Sequence, residues 1–183
     1  MEINLSGSRR FSKQKGFTLF ELIVVIAIIS ILAVFALGRY ARLLVDVERT
    51  SMEHDLGVMR SAISMQVAAH YLAGDMQGLG LLVGSNPMEL LAEKPKNYRG
   101  ALSQAEAATV ERGEWYFDLD SGELVYLVTN EEYFSSESQS HKVRFKIIPV
   151  YSEKITGATE SEYLAGLRMK AVEPYRWLKS LQK

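Results

Sequence analysis

The hydrophobic pattern of the chain begins with one uninterrupted apolar run. Residues 17–38 read FTLFELIVVIAIISILAVFALG and contain a single charged residue, Glu21. As a helix, this run would span about 33 Å, which is enough to cross the hydrocarbon core of a membrane. Because a soluble core helix is rarely apolar on every side over that length, the pattern predicts a transmembrane segment at 17–38.

The helical pattern continues beyond the apolar run as an amphipathic half at 39–72. This stretch contains no proline, and its apolar residues recur at intervals of three and four, as one face of a helix requires. We expect the rest of the domain to cover this stripe, which consists of Tyr40, Leu43, Leu44, Val47, Leu56, Met59, Ile63 and Val67. The pattern thus predicts one continuous helix from Phe17 to Leu72.

The spacing of apolar residues changes after the helix, and this change predicts the boundaries of the remaining segments. Residues 73–112 are predicted to form a connector with short helices, and from Gly113 onward the apolar residues alternate, which is typical of half-buried strands. The predicted strands are Trp115–Leu119, Leu124–Thr129, Val143–Tyr151 and Leu167–Ala171. We therefore expect an α+β protein, in which a long amino-terminal helix packs on an antiparallel sheet of about four strands over residues 113–183.

The first two strands are predicted to form a hairpin. The segment Asp120-Ser121-Gly122-Glu123 has the composition of a four-residue turn. Such a turn would place three pairs opposite each other on one face of the sheet: Leu119 with Leu124, Phe117 with Tyr126, and Trp115 with Val128.

Composition and charge narrow the functional classes. The 183 residues include no cysteine, which excludes disulfides, thiolate nucleophiles and thiolate zinc sites. The net charge of -1 argues against a generally basic nucleic-acid binder. By the positive-inside rule, the basic residues before the apolar run favour a cytoplasmic amino-terminus with the bulk of the chain across the membrane: Arg9, Arg10, Lys13 and Lys15.

Three kinds of segment fit a basic leader followed by an apolar helix. A removable secretory signal would be cut after the small-residue site Val34-Phe35-Ala36, and a plain signal anchor would stay uncut. The third is indicated by Lys15-Gly16-Phe17-Thr18-Leu19-Phe20-Glu21 at the entrance to the membrane. This segment resembles the prepilin signature of type IV pilins and of the pseudopilins of type II secretion.

The resemblance implies how the chain is processed and what its carboxylate does. In that family, prepilin peptidase removes the leader after the glycine and methylates the new amino-terminus. Residues 1–16 would be removed between Gly16 and Phe17, so that the mature chain begins with N-methylphenylalanine. Glu21 would then pair with the Phe17 amino group of a neighbouring subunit and set the register of assembly. Alternatively, Glu21 is simply an anion in the first helical turns, where the helix dipole stabilises negative charge.

The resemblance also implies partners and location. The expected partners are prepilin peptidase, other pilin or pseudopilin subunits, an inner-membrane assembly platform and membrane lipid. The carboxy-terminal domain would lie in the periplasm before the chain enters a pilus or pseudopilus, and neither a cofactor nor a metal is expected. Because many major pilins close their carboxy-terminal region with a disulfide, the absence of cysteine favours a minor pilin or a pseudopilin.

An enzyme is a weaker interpretation, and no catalytic residue is predicted. The sequence lacks a His-Glu-x-x-His motif, a nucleophile elbow and a phosphate loop. His54 and His70 would diverge too far around a helix to share one metal. The acidic segment Asp118–Gly122 resembles the start of a calcium loop, but Thr129 stands where such a loop needs glutamate. We therefore expect a turn there.

A membrane-anchored binding module, for DNA uptake or adhesion, is the second alternative. If the last two predicted strands pair, a basic patch would form on the outer side of the sheet from Arg144, Lys146, Arg168 and Lys170. Such a patch could contact phosphates. Strand faces exposed to solvent commonly carry lysine and arginine without any ligand, so DNA is the less favoured partner.

Overall fold

A computed structural model describes residues 16–156 and 159–178 of the chain. These residues fall into two compact units, of which the first reaches Leu43 and the second begins at Leu44. Most of the predicted leader, residues 1–15, lies outside the described residues, together with its four basic side chains.

The first unit contains the start of a long helix. This helix, α1, begins at Leu19 and ends at Ala73, and it passes through Gly38 without a break. All residues of the unit from 16 to 43 are exposed. Ser30, a polar residue in the middle of the apolar run, donates its hydroxyl to the carbonyl of Ile26 at 2.7 Å. Its hydroxyl therefore needs no water.

The second unit contains a mainly antiparallel sheet. Its five strands lie side by side in chain order: β1 Tyr98–Leu102, β2 Trp115–Asp118, β3 Glu123–Leu127, β5 Lys142–Thr156 and β6 Thr159–Ala171. Two short strands form a separate antiparallel pair, β4 Phe134–Ser136 and β7 Tyr175–Trp177. The pairs from β2 to β6 are antiparallel. The predicted α+β fold, with a long helix and a carboxy-terminal antiparallel sheet, is confirmed.

The strand β1 was not predicted, and it pairs with β2 in parallel. It lies in the region expected to be a connector, which also holds two short helices, α2 Met76–Leu81 and α3 Gln104–Ala107. The helix α3 lies in the crossover that two parallel strands require. None of the five residues of β1 is fully buried. The sequence therefore lacks the strong apolar alternation that usually marks a strand.

The hairpin of β2 and β3 keeps the predicted face but shifts the predicted register by two residues. The observed pairs are Trp115 with Tyr126 and Phe117 with Leu124. Leu119 lies in the turn and is 58% exposed, because the Asp118 carboxylate accepts the Asp120 N–H and the Ser121 hydroxyl and so starts the turn early. A shift of two residues leaves every side chain on its original face.

The core lies between α1 and the inner face of the sheet. Trp115 is fully buried at its centre, with ring centroids 4.7 Å from Tyr126 and 6.0 Å from Phe145. As predicted, the inward residues of β5 are buried: Val143, Phe145 and Ile147. Burying one large apolar side chain contributes about 1.5–3 kcal/mol to folding.

On the helix, the predicted stripe is right in its second half and wrong in its first. The buried residues of α1 are Val45, Glu48, Met52, Leu56, Met59 and Ile63. Leu44 and Val47 are 43% and 57% exposed, and Tyr40 and Leu43 are exposed as well. The buried stripe of α1 includes a charged residue, Glu48. A prediction from apolar residues alone therefore could not identify it.

Glu48 is buried because its carboxylate is saturated with hydrogen bonds. One oxygen accepts the Thr129 N–H at 2.6 Å and the Tyr126 hydroxyl at 3.2 Å. The other accepts the Asn130 N–H at 3.0 Å and the Asn130 amide at 2.5 Å. Burial raises the pKa of Tyr126, so its hydroxyl keeps the proton that it donates. Four donors compensate a charge that would be costly to bury alone.

A second polar contact joins the helix to the sheet seven residues further along α1. The indole nitrogen of Trp115 donates to the Asp55 carboxylate at 3.0 Å. Burial raises the pKa of Asp55, although the hydrogen bond from Trp115 opposes that change. Glu48 and Asp55 together fix the rotation of α1 about its own axis.

The strands β5 and β6 form a hairpin that continues beyond the last residue paired with β3. In this hairpin, like charges lie directly opposite each other in two places: Lys146 faces Lys170, and Glu153 faces Glu162. The pairing is irregular between Val150 and Tyr151. Such pairs weaken a hairpin, so its stability depends on what it packs against.

We predict that Glu48 is essential for the stability of the second unit. In residues 41–183, which we expect to fold without the membrane segment, Glu48→Ala should lower the free energy of unfolding by about 3 kcal/mol, because Thr129 and Asn130 lose their acceptor. Urea denaturation followed by circular dichroism measures this change. The matched control is Glu53→Ala on the exposed side of α1, where Glu53 forms only a surface pair with Arg49 at 2.8 Å. Equal losses in both variants would contradict the assigned role of Glu48.

Candidate processing and assembly site

The predicted cleavage site lies immediately before α1. Gly16 and Phe17 have no regular secondary structure, and Phe17 is 76% exposed. A Cβ atom added to Gly16 would meet no atom of the described residues within 4 Å, so packing inside the described chain gives no reason for a glycine. A glycine at this point can instead lie extended in a protease cleft at little steric cost.

The Glu21 side chain folds back onto the start of the helix. One carboxylate oxygen, Oε2, accepts the Thr18 N–H at 3.0 Å and the Thr18 hydroxyl at 3.1 Å. The Thr18 hydroxyl oxygen in turn accepts the Glu21 N–H at 3.2 Å. This reciprocal arrangement is a capping box, which satisfies backbone groups that the first turn of a helix leaves free. Thr18 is not among the predicted site residues, although the Thr-x-x-Glu spacing is visible in the sequence.

The capping box uses only one side of the carboxylate. Among the described residues, no hydrogen bond reaches the second oxygen of Glu21, Oε1. The observed position of Glu21 in the first turn agrees with the alternative of an anion at the helix start. It is equally compatible with a further cation, because a carboxylate has acceptor sites on both oxygens.

The helix that follows has the length and composition of a membrane span. Within the described part of the chain, α1 is the one helix that is long and apolar enough to cross a membrane, and no part of its most apolar stretch is buried.

Comparison with known families bears on this segment. The prokaryotic N-terminal methylation motif matches residues 11–37, which include Gly16, Phe17, Glu21 and the start of α1. The chain carries the signature of a type IV pilin. This signature marks a pilin-like substrate of prepilin peptidase that assembles with other pilin subunits, and it defines a structural class, not a class of enzymes. No curated protein and no solved structure is significantly similar to the chain.

In this pilin-like chain, the predicted basic residues do come together on the outer side of β5 and β6: Arg144, Lys146, Arg168 and Lys170. Half of them are engaged within the chain. The Arg144 guanidinium lies 3.6 Å from the carboxylates of Glu123 and Glu173, and the Lys146 ammonium donates to the Ser121 carbonyl at 3.1 Å. These contacts weaken the patch as a binding surface for phosphates.

The acidic turn of the pilin-like chain uses its carboxylates for internal hydrogen bonds. Asp118 holds the turn, and Asp120 accepts the Gln104 N–H at 3.1 Å. Thr129, which stands in the place of the missing calcium ligand, donates its N–H to Glu48. In the described residues, no three side chains with metal-binding groups come together.

The three histidines lie in separate places. His70 contacts Asp75 at 3.1 Å, and His141 lies 3.9 Å from Glu131, whereas His54 is exposed on α1. The Gly78 N–H, assisted by His70, lowers the pKa of Asp75. The contact between His70 and Asp75 therefore belongs to the cap of α2.

We predict that calcium does not bind the Asp118–Gly122 turn. Addition of millimolar calcium to residues 41–183 should leave the Tm unchanged, since the carboxylates already accept protein donors. Thermal unfolding followed by circular dichroism is the measurement, with magnesium as the control for ionic strength. A rise of Tm with calcium alone, abolished by Asp118→Asn, would show that the turn is a calcium site.

Proposed function

We propose that this chain is a minor pilin or a type II secretion pseudopilin, a structural subunit of a filament assembled from the inner membrane. The observation that carries the proposal is the methylation motif at residues 11–37, which leads directly into the exposed apolar part of α1. A helix that is apolar on all sides is stable in lipid or among other apolar helices, but not in water. A filament subunit needs both environments in turn.

The first step of the proposed function is removal of residues 1–16 by the peptidase. The peptidase cuts between Gly16 and Phe17 and methylates the Phe17 nitrogen. Both residues are exposed and lie outside the helix, which supports access of the peptidase to this bond. The amino-terminus lies in the cytoplasm and the sheet-bearing unit in the periplasm, as the basic leader favours. The assembly platform of the inner membrane then receives the processed subunit.

After cleavage, Glu21 pairs with the Phe17 ammonium of a neighbouring subunit. In surroundings of low dielectric constant, such a pair attracts strongly, and it removes the penalty of leaving either charge alone. The capping box supports this role, because Thr18 holds the carboxylate through Oε2 while Oε1 has no partner in the described chain. The same carboxylate thus starts its own helix and receives a neighbour.

Assembly exchanges one apolar environment for another. As the helix leaves the membrane, the helices of other subunits replace the lipid tails, so the net hydrophobic gain is small. Packing and polar contacts then decide which arrangement forms. We therefore assign the choice of register between neighbouring subunits to Glu21. A role as a DNA-binding module has less support, since half of the basic patch is engaged internally.

We predict that the mature protein begins at Phe17 with a methylated nitrogen. The full chain expressed together with the peptidase should lose residues 1–16, and Gly16→Trp should retain them, because a bulky side chain does not fit an extended glycine site. Intact mass and amino-terminal sequencing measure both results. A mature chain that starts at Leu37 would identify an ordinary secretory signal instead.

We predict that Glu21→Ala separates processing from assembly. Membrane levels and cleavage should persist, because alanine enters a membrane more easily than a carboxylate and the peptidase reads Gly16. Incorporation into filaments should fall, since the Phe17 ammonium of a neighbour has no counter-ion. The amount of the subunit in sheared filaments, divided by the amount in membranes, is the measurement.

Two further variants distinguish the charge of Glu21 from its capping role. Glu21→Gln keeps a side chain that can complete a capping box but removes the charge, and we expect it to be nearly as defective as Glu21→Ala. Thr18→Ala removes the hydroxyl of the box but keeps the carboxylate, and its defect should be smaller. If both Glu21 variants enter filaments at the wild-type level, Glu21 serves only the helix start.

A further inference from the structure

The second unit leaves an apolar side of α1 uncovered. Val58, Met65 and Leu72 are 43%, 74% and 91% exposed, and Leu44 and Val47 at the start of the unit are exposed as well. The middle of this row lies away from the sheet: around the helix, Val58 is about 100° from the buried Met59 and about 160° from the buried Leu56. A single exposed apolar residue is ordinary, but a row of them along one helix marks an interaction surface.

These residues follow a regular seven-residue repeat. Every seventh residue from 44 to 72 gives Leu44, Ser51, Val58, Met65 and Leu72. The positions three residues further on are Val47, His54, Ser61 and Ala68. The alternation of three and four is the spacing at which two helices pack along a common seam. We call these nine positions the outer seam.

The chemistry of the outer seam suits another helix. It contains no Asp, Glu, Lys or Arg, so two identical seams do not repel each other. Small residues, Ser61 and Ala68 among them, alternate with the larger apolar ones and allow a close approach. The charged residues of this part of α1 lie elsewhere, as Asp46, Glu53 and Arg60 show.

The size of the seam indicates that its partner is held nearby. From Leu44 to Leu72 the helix is about 42 Å long, and a contact about 10 Å wide buries about 400 Å² on each partner. The total of about 800 Å² is below the roughly 1,200 Å² typical of a stable interface between free proteins. Such a surface becomes effective when both partners are tethered, because tethering raises their effective concentration.

We propose that in the membrane, before the Glu21 contact sets the register of the filament, the outer seam binds the outer seam of a second copy of this chain, with the two helices parallel and in register. Both copies carry the same membrane segment, followed by the same number of residues before the seam, so each seam residue meets its own counterpart. This inference rests on the proposed function only in its use of the membrane segment as the tether. It assigns the contact to the part of α1 outside the membrane and the partner to an identical chain.

Because the natural chain has no cysteine, single cysteines test the proposal directly. We expect Val58→Cys and Met65→Cys, each in the full chain in membranes, to form disulfide-linked dimers under mild oxidation. A disulfide requires Cα atoms about 4.4–6.8 Å apart, which facing seam positions satisfy. Arg60→Cys is the matched control: residue 60 is exposed on the same helix, about 160° from Val58. It should yield several-fold less dimer.

A second set of variants tests the seam without cysteine chemistry. Met65→Glu places like charges opposite each other in the paired seam, and in the Val58→Cys background it should suppress the dimer several-fold. Arg60→Glu in the same background should not. Both positions are exposed, so neither change is expected to disturb the core.

Three outcomes would overturn the proposal. One is a dimer yield from the seam cysteines equal to that of Arg60→Cys. Another is a disulfide that forms only when Val58→Cys and Met65→Cys chains are mixed, which would mean a staggered contact. The third is a seam that stays monomeric yet is shielded from a water-soluble maleimide in membranes, which would identify lipid as its partner. Leader cleavage and filament incorporation, measured on the same variants, report the proposed function separately: if both are normal without seam dimers, only the seam proposal fails.

Discussion

The arrangement of the second unit depends on where the Glu48 carboxylate finds its donors. A buried carboxylate is stable only with several hydrogen bonds, and the backbone at Thr129 and Asn130, just after β3, offers two of them in a fixed place. This requirement sets the rotation of α1. Once Glu48 faces the sheet, Met52 and Met59 must face it too, while Val58 and Met65 must face outward. Together with the contact between Asp55 and Trp115, the Glu48 contact thereby decides which apolar residues become core and which remain available to a partner.

The sequence allowed the long helix, the strand order from β2 to β6 and the face of the first hairpin to be predicted, because each follows from a strong periodicity. It did not reveal the rotation of α1, since two apolar stripes compete there and the buried one contains Glu48. It also missed β1, whose residues are only partly buried, and the exact register of the hairpin, which the Asp118 side chain sets. The rotation of α1 depends on tertiary hydrogen bonds that no local pattern contains. The register of the hairpin depends on local hydrogen bonds within the turn, which residue periodicity does not show.

At the candidate site, the sequence predicted the features that depend on neighbouring residues in the chain. It did not predict the features that depend on side-chain geometry. Gly16, Phe17 and Glu21 were visible as a motif. The sequence did not show that Thr18 binds only one oxygen of the Glu21 carboxylate, Oε2. This geometry would allow one side chain to serve both the helix start and the proposed assembly contact. The cap stabilises the first turn of the helix and at the same time restrains the carboxylate, which lowers the entropy that a neighbour's amine would have to overcome.

The like-charged pairs in the hairpin of β5 and β6 have a consequence for the order of folding. With Lys146 opposite Lys170 and Glu153 opposite Glu162, this hairpin gains less from its own cross-strand pairs than an ordinary hairpin does. It becomes stable once β3 and α1 supply contacts distant in sequence, so it forms after the collapse of the core and not as its nucleus. Added salt screens both repulsions. Because this hairpin is not part of the folding nucleus, the screening slows unfolding and leaves the refolding rate nearly unchanged.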